Sequence, residues 1–264
     1  MPKRQTMDHH QIFTELHLQS EPFLLGNVWD VPIAKSLEKT GYQAIGTSSA
    51  AMANLLGYED GEEMPFEEML HLVKRIKQNI SIPLSVDIEG GYAKDPSKVF
   101  ENVLRLVELD IIGINIEDSV VQDNIRVLSD KEHLASKIAT ISARLQSIEK
   151  KLFINARIDT YLLDVPKKLN ETLSRIQLYE QAGASGIFIP LLASSADIAE
   201  IVKSTRLPLN LMAIPGLPSF DQLRKLGVKR VSTGNFLHQK MNNELNLLAS
   251  NILRSKEFET LFQW

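Results

Sequence analysis

The sequence predicts an α/β protein, a closed (β/α)8 TIM barrel. Three observations predict it. Short apolar runs recur eight times along the 264 residues, amphipathic segments of helical period separate them, and several of those segments end in a glycine. Runs that are apolar on both faces and spaced by helices indicate a parallel sheet covered on both sides. Eight such units are the number that closes into a barrel. An open doubly wound sheet is the alternative, but no glycine-rich phosphate fingerprint follows the first run.

The elements follow in order. "FLLGNVW" (23–29) is the first strand and "PIAKSLEKTG" (32–41) the helix after it. A glycine just past a helix accepts the left-handed backbone that ends it. "AIGTSS" (44–49) is the second strand and leads into a helix at Ser48, Ser49 and Ala50. "IPLSVDIE" (82–89) is the third, followed by the amphipathic "PSKVFENVLRLVELD" (96–110). "IIGINIE" (111–117), "LFINARI" (152–158), "GIFIPLL" (186–192), "LPLNLMAI" (207–214) and "RVSTG" (230–234) complete the eight. The glycines of "EQAGASG" and "RKLGVKR" end the helices before the sixth and eighth runs. The segment 235–264 carries a longer helix that ends in aromatics. Two readings stay open for it: packing across a subunit interface, or closing its own barrel. No Pro-, Ser- or Gly-rich linker divides the chain, so 1–264 reads as one domain with 235–264 as its C-terminal helical segment.

Composition removes several classes of function. Hydrophobic residues make up 44%, enough for a sizeable core, and the net charge is −4. No basic block marks a nucleic-acid surface. There is no cysteine, which excludes disulfides, thiolate metal sites and a cysteine nucleophile. The N-terminal "MPKRQTMDHHQIFTELH" lacks the apolar core of a signal peptide. No apolar stretch nears the roughly 18 residues that cross a bilayer. The expectation is a cytoplasmic protein with neither nucleic-acid nor membrane partners.

The chemistry gathers where strands end. "SVDIEGGY" closes the third strand with Asp87 and Glu89, two positions apart. If the strand stays extended, both side chains point the same way, at the barrel end where such enzymes place their chemistry. The fourth strand ends with Glu117 and Asp118. Carboxylates crowded at one rim either raise a pKa or hold a cation. Oxygen ligands without His or Cys suit Mg²⁺ or Mn²⁺. Capping of loops or helices is the competing account of these acids. Arg157, ending the fifth strand in "NARID", has a fork that matches an anionic group; a salt bridge to Asp159 or Glu117 is the plainer role, and both can coexist. Ser48, Ser49 and Ala50 can cradle an anion at a helix start or simply cap that helix. Asn27 and Asp30 read as loop formers, and none of His71, His133 or His238 is singled out as a base.

The ordered set "NVWDVPIAKSLEKTGYQAIGTSSA", "LGYED", "DIEGGY", "NIEDS", "NARID", "YEQAGASGIFIP" and "GVKRVSTGN" resembles the isocitrate lyase / phosphoenolpyruvate mutase superfamily, in its mutase-like, carboxyphosphonoenolpyruvate phosphonomutase-like branch. The resemblance runs from about residue 22 to 240. It implies a (β/α)8 barrel whose last helix is commonly swapped between subunits, in a homo-oligomer, dimer or tetramer. It implies a Mg²⁺ site at Asp87, Glu89 and Glu117, a substrate carboxylate at Ser48, Ser49 and Ala50, and catalytic roles for Asp60 and Arg157. Asn210, in the seventh run, joins the substrate-binding set. The implied activity is Mg²⁺-dependent, lyase-type making or breaking of a C–C bond beside a small 2-oxo carboxylate. The alternatives are P–C mutase or hydrolase chemistry on phosphonopyruvate, oxaloacetate hydrolysis, and a non-catalytic metabolite-binding barrel.

The departures are specific. The lid stretch after the fourth strand, 119–130, reads "SVVQDNIRVLSD", with neither the lyase cysteine nor the lysine-rich loop of the phosphonomutases. Pro190 stands where the phosphonopyruvate-handling mutase has a histidine. Glu89 replaces the usual, shorter aspartate.

Overall fold

The computed structural model describes residues 8–262. Residues 1–7 of the N-terminal stretch and 263–264 of the C-terminal segment lie outside the described residues. In chain order the elements are α1 (His9–Leu18), β1 (Phe23–Val28), α2 (Val31–Lys39), β2 (Ile45–Thr47), α3 (Ser49–Leu56), α4 (Phe66–Lys77), β3 (Leu84–Asp87), α5 (Pro96–Glu108) and β4 (Gly113–Glu117). A hairpin of β5 (Ser119–Gln122) and β6 (Ile125–Leu128) interrupts the alternation. Then come α6 (Lys131–Ser147), β7 (Phe153–Arg157), α7 (Lys168–Ala182), β8 (Gly186–Ile189), α8 (Ser195–Ser204), β9 (Leu209–Met212), α9 (Phe220–Leu226), β10 (Arg230–Ser232) and α10 (Phe236–Ser255).

The parallel strands close in the order β1-β10-β9-β8-β7-β4-β3-β2, so the barrel expected from the eight apolar runs is the one observed. Local chemistry sets the boundaries. Asp30, Asp95 and Ser219 cap α2, α5 and α9 by accepting first-turn amide hydrogens. Gly57, Gly183 and Gly227 end α3, α7 and α9 in left-handed conformation. The main core lies between strands and helices, with Val86, Ile114, Ile154 and Ile187 facing Val73, Val103, Ile138 and Ile176. A smaller aromatic core of Phe13, Phe23 and Phe153 plugs the N-terminal end of the barrel under α1. Both ends are therefore committed differently: one sealed by apolar packing, the other open for chemistry.

The barrel interior is polar below the mouth. Arg230 is fully buried there, donating from Nη2 to Asn115 Oδ1 at 3.0 Å, while its Nε and Nη1 have no partner among the described residues. Asn155 bridges Asn115 and Asn210 at 2.9 and 3.3 Å. This layer holds Asn210 in place: its Nδ2 donates to Leu211 O at 2.7 Å and Ser232 Oγ at 3.1 Å. Asn210 was expected to bind substrate. It is buried inside the barrel and does not line the mouth cavity.

No helix among the described residues is long and apolar enough to cross a membrane. The 20-residue α10 buries only His238, whose ring packs edge-on against Trp29, and leaves Met241, Leu245, Leu247 and Leu253 exposed.

Candidate active site

The C-terminal ends of the strands surround a mouth cavity of about 400 Å³. Ser48, Ser49, Ala50, Asp60, Asp87 and Arg157 all line it, together with Asn115, Arg126 and Pro190. Six of the nominated residues are thus brought together from segments more than a hundred positions apart.

Asp87 ends β3, where its backbone amide donates to Thr47 Oγ1 at 2.9 Å. Its carboxylate accepts Ser49 Oγ at 3.1 Å and, weakly, the Glu89 amide at 3.4 Å. No basic side chain forms an ion pair with it among the described residues. Burial raises its pKa against the pull of the Arg157 charge, and Asp60 pushes it further up. A buried carboxylate with so little neutralisation is the feature of the site that asks for a cation.

Glu89 departs from the expectation. The strand ends at Asp87, and Glu89 adopts φ 49°, a left-handed conformation that swings its side chain away from that of Asp87. Its carboxylate accepts the Glu62 amide at 2.7 Å and the Tyr92 hydroxyl at 3.4 Å. It lines a second cavity of about 630 Å³, beneath the hairpin, and not the mouth. Gly91 enforces this bend, because a Cβ there would lie 2.6 Å from Val99 and its φ is +100°.

Glu117 departs in a second way. Two guanidiniums hold it. Arg126, from β6, donates from Nη1 to Glu117 and to Ser119 Oγ, and from Nη2 to Asp60 Oδ2 at 2.7 Å. Arg157 places Nη1 2.7 Å from Glu117 Oε2 as an ion pair, out of line for a hydrogen bond, and turns Nε to Asp159 Oδ1 at 2.7 Å. The plainer reading of Arg157 is therefore present in the geometry, while the residue still faces the cavity. Asp118, counted with the rim acids, points the other way: it accepts from Arg175 Nη1 and the Tyr179 hydroxyl, both at 3.0 Å, in the helix layer.

The expected convergence of Asp87, Glu89 and Glu117 on one ion is corrected. No group of three acids or histidines close enough to hold a metal occurs among the described residues. The donor set remains one of hard oxygens, which suits Mg²⁺ or Mn²⁺. Asp87 and Glu89 have no basic partner among the described residues, and of the two only Asp87 lines the mouth cavity.

Ser48 caps α3, its Oγ accepting the Ala51 amide at 3.4 Å. The first-turn amides of Ser49 and Ala50 have no partner within the helix, and both residues line the cavity with Asp87.

Burial, with Asp60 and Asp87 adding to it, pushes the Glu89 pKa from 4.5 to about 8. The folded protein then keeps a proton that the unfolded chain has given up. Raising the pH withdraws it, so stability falls as pH rises towards 8. His17, lowered by burial from 6.5 to about 3, acts in the opposite sense but only below pH 6.5. In chelator, the unfolding free energy from denaturant titration should therefore fall between pH 6.5 and 8, by at most about 2 kcal/mol. Glu89→Gln should flatten that slope.

With this geometry in view, the profile of the phosphoenolpyruvate phosphomutase family matches residues 13–253. The chain belongs to that family. The superfamily resemblance seen in the strand-end motifs is thereby borne out, and the family is one of enzymes. An uncharacterised protein of Mycobacterium tuberculosis strain H37Rv is 37% identical over 84% of this chain and 81% of its own length. Oxaloacetate decarboxylase of Pseudomonas savastanoi pv. phaseolicola is 26% identical over 87% of this chain and 79% of its own. Among solved structures, a candidate phosphonomutase of Burkholderia cenocepacia superposes with TM-score 0.86 at 32% identity, covering 92% of this chain and 99% of that one. A phosphonopyruvate hydrolase solved with oxalate and Mg²⁺ superposes with TM-score 0.83 at 23% identity, over 95% and 88%, a likeness of fold.

Against this family background, the sequence reading missed Arg126, Ser119 and Lys137. Lys137 is buried on α6 and donates from Nζ to Gly90 O at 2.6 Å. A signal for the hairpin existed: Asp123-Asn124 between two β-prone tetrapeptides, with φ 50° and 61°, forms the two-residue turn that hairpins favour. The pairing of Val121 with Arg126 across it was not derivable without that turn.

Proposed function

We propose that this chain is a divalent-cation-dependent, lyase-type enzyme that makes or breaks a C–C bond beside a small 2-oxo carboxylate. The observation that carries this reading is Asp87: a buried carboxylate without a basic partner, facing the mouth cavity with the α3 amides and Arg157. The curated relatives named oxaloacetate decarboxylase support C–C chemistry.

Asp87 would hold Mg²⁺ or Mn²⁺ directly, with Asp60 and Glu117 acting through its water shell. When bound, the cation would supply positive charge for the 2-oxo oxygen as the bond to C3 breaks. The chain's own groups do the rest. The amides of Ser49 and Ala50, with the serine hydroxyls, bind the substrate carboxylate at the start of α3. Arg157, held rigid by Asp159, grips the far anionic end in two-point fashion. Orientation by these two poles brings the scissile bond to one place in the cavity. Asp60, at the cavity edge, is positioned to take or give the proton, since no cysteine is available.

The chain is read as one domain acting in the cytoplasm, with the exposed apolar face of α10 covered by a second copy of the same chain in a dimer or tetramer.

A second reading has its own support. Similarity to the Burkholderia phosphonomutase candidate favours P–C chemistry on phosphonopyruvate by the same residues. One experiment separates them. Purified protein is assayed with Mg²⁺ against 2-oxo dicarboxylates by pyruvate release and against phosphonopyruvate by phosphorus NMR, each repeated in chelator. Cation-dependent turnover of a 2-oxo dicarboxylate is expected. Turnover of phosphonopyruvate alone would install the second reading. Tight oxalate binding with no turnover of either would leave a metabolite-binding barrel.

A further inference from the structure

We infer that Arg126 stands in for the divalent cation, so that docking of the β5–β6 hairpin and cation binding compete for Glu117 and Asp60. This rests on the cation reading above.

Four observations meet on this residue. First, Arg126 bridges Glu117 and Asp60 from a strand outside the barrel, so a hairpin side chain neutralises two of the acids proposed to surround the ion. Second, the tally of charge at the mouth is uneven. The carboxylates Asp60, Asp87, Glu117 and Asp159 surround the guanidiniums of Arg126 and Arg157. A compensating positive charge is favoured there, and a guanidinium and a divalent ion at the same carboxylates repel each other. Third, the tip and the foot of the hairpin are held differently. The foot is fixed by Ser129, whose amide and hydroxyl both donate to Asp118 O at 2.8 Å. Nearer the tip, Val121 packs so closely on Gly61 that a Cβ there would lie 2.5 Å from its Cγ2, and Arg126 ties the same loop through Asp60. Fourth, Arg126 lines both the mouth cavity and the larger cavity beneath the hairpin. Among the described residues it is the one common to both linings.

Linkage makes the competition reciprocal: what loosens the hairpin tightens the ion, and by the same factor. Arg126 is in this sense a positioning residue, acting on the site through Glu117 and Asp60.

The test uses full-length protein and two readouts. Mn²⁺ affinity is measured by electron paramagnetic resonance, and hydrogen exchange of residues 119–128 is followed with and without Mg²⁺. In the wild type, Mg²⁺ should speed exchange of the hairpin. R126Q should bind Mn²⁺ about tenfold more tightly, and its hairpin should exchange fast whether or not Mg²⁺ is present. R126K keeps the charge without the fork and should lie between the two; it also serves if R126Q folds poorly. If R126Q binds Mn²⁺ no more tightly than the wild type, or Mg²⁺ slows hairpin exchange, the competition is overturned while the cation reading stands. If none of the three proteins binds Mn²⁺, the cation reading fails and takes this inference with it.

Discussion

Asp87→Asn is expected to abolish divalent-cation binding and to cut turnover by three to four orders of magnitude, which corresponds to roughly 4–5.5 kcal/mol of transition-state stabilisation. The substitution keeps the side-chain volume and an acceptor for Ser49 Oγ, which now donates to the carboxylate at 3.1 Å. What it removes is the charge. That charge is buried with only Ser49 and a distant amide upon it, so the metal-free fold should tolerate its loss. Thermal denaturation in chelator should accordingly give a melting temperature equal to or above that of the wild type, because an uncompensated buried charge opposes folding. Calorimetric titration with Mn²⁺ supplies the other half. A variant that still binds the ion and turns over would remove Asp87 from the centre of the mechanism.

Arg157→Met is expected to damage stability and binding together. Arg157 is paired with both Glu117 and Asp159, whose side chains are 2% and 0% exposed. Breaking a buried ion pair from one side leaves the other charge without a partner, at a typical cost of about 3–5 kcal/mol. Arg126 continues to hold Glu117, so Asp159 carries most of the loss. The melting temperature should fall by roughly 10 °C in a chain of this size. Adding Asp159→Asn to the same protein should recover part of that fall, since the stranded charge is then gone. Oxalate affinity should not recover, because the anion grip is still missing. Recovery of both, or loss of neither, would show that Arg157 does not serve the two roles at once.

The contrast between these residues shows how far a linear reading reaches. Every barrel strand lies within one of the eight apolar runs, because both faces of a parallel strand are buried and the run is visible without knowing its neighbours. Ser48 at the start of α3 and Arg157 at the end of β7 were legible for a similar reason: capping chemistry and strand ends are local. Glu89 was misplaced because alternation along a strand holds only while the backbone is extended. The strand stops at Asp87, and two positions later the chain has already turned left-handed at φ 49°. The depth of Asn210 was not legible because inward-pointing residues occupy successive layers of a barrel, and depth along the axis is set by strand stagger, which no single strand records.

By itself the sequence determined the barrel, the strand ends that carry acids and an arginine, and the absence of a thiol. These follow from periodicity, turn chemistry and composition, each a property of neighbouring residues. Only the tertiary structure decided which carboxylate keeps its charge unneutralised. Glu117 meets Arg157 across the β4–β7 ladder and Arg126 from a folded-back hairpin, whereas Asp87 meets a serine. Electrostatic energy depends on separations of a few ångströms between groups far apart in the chain. Those separations exist only once the barrel has closed.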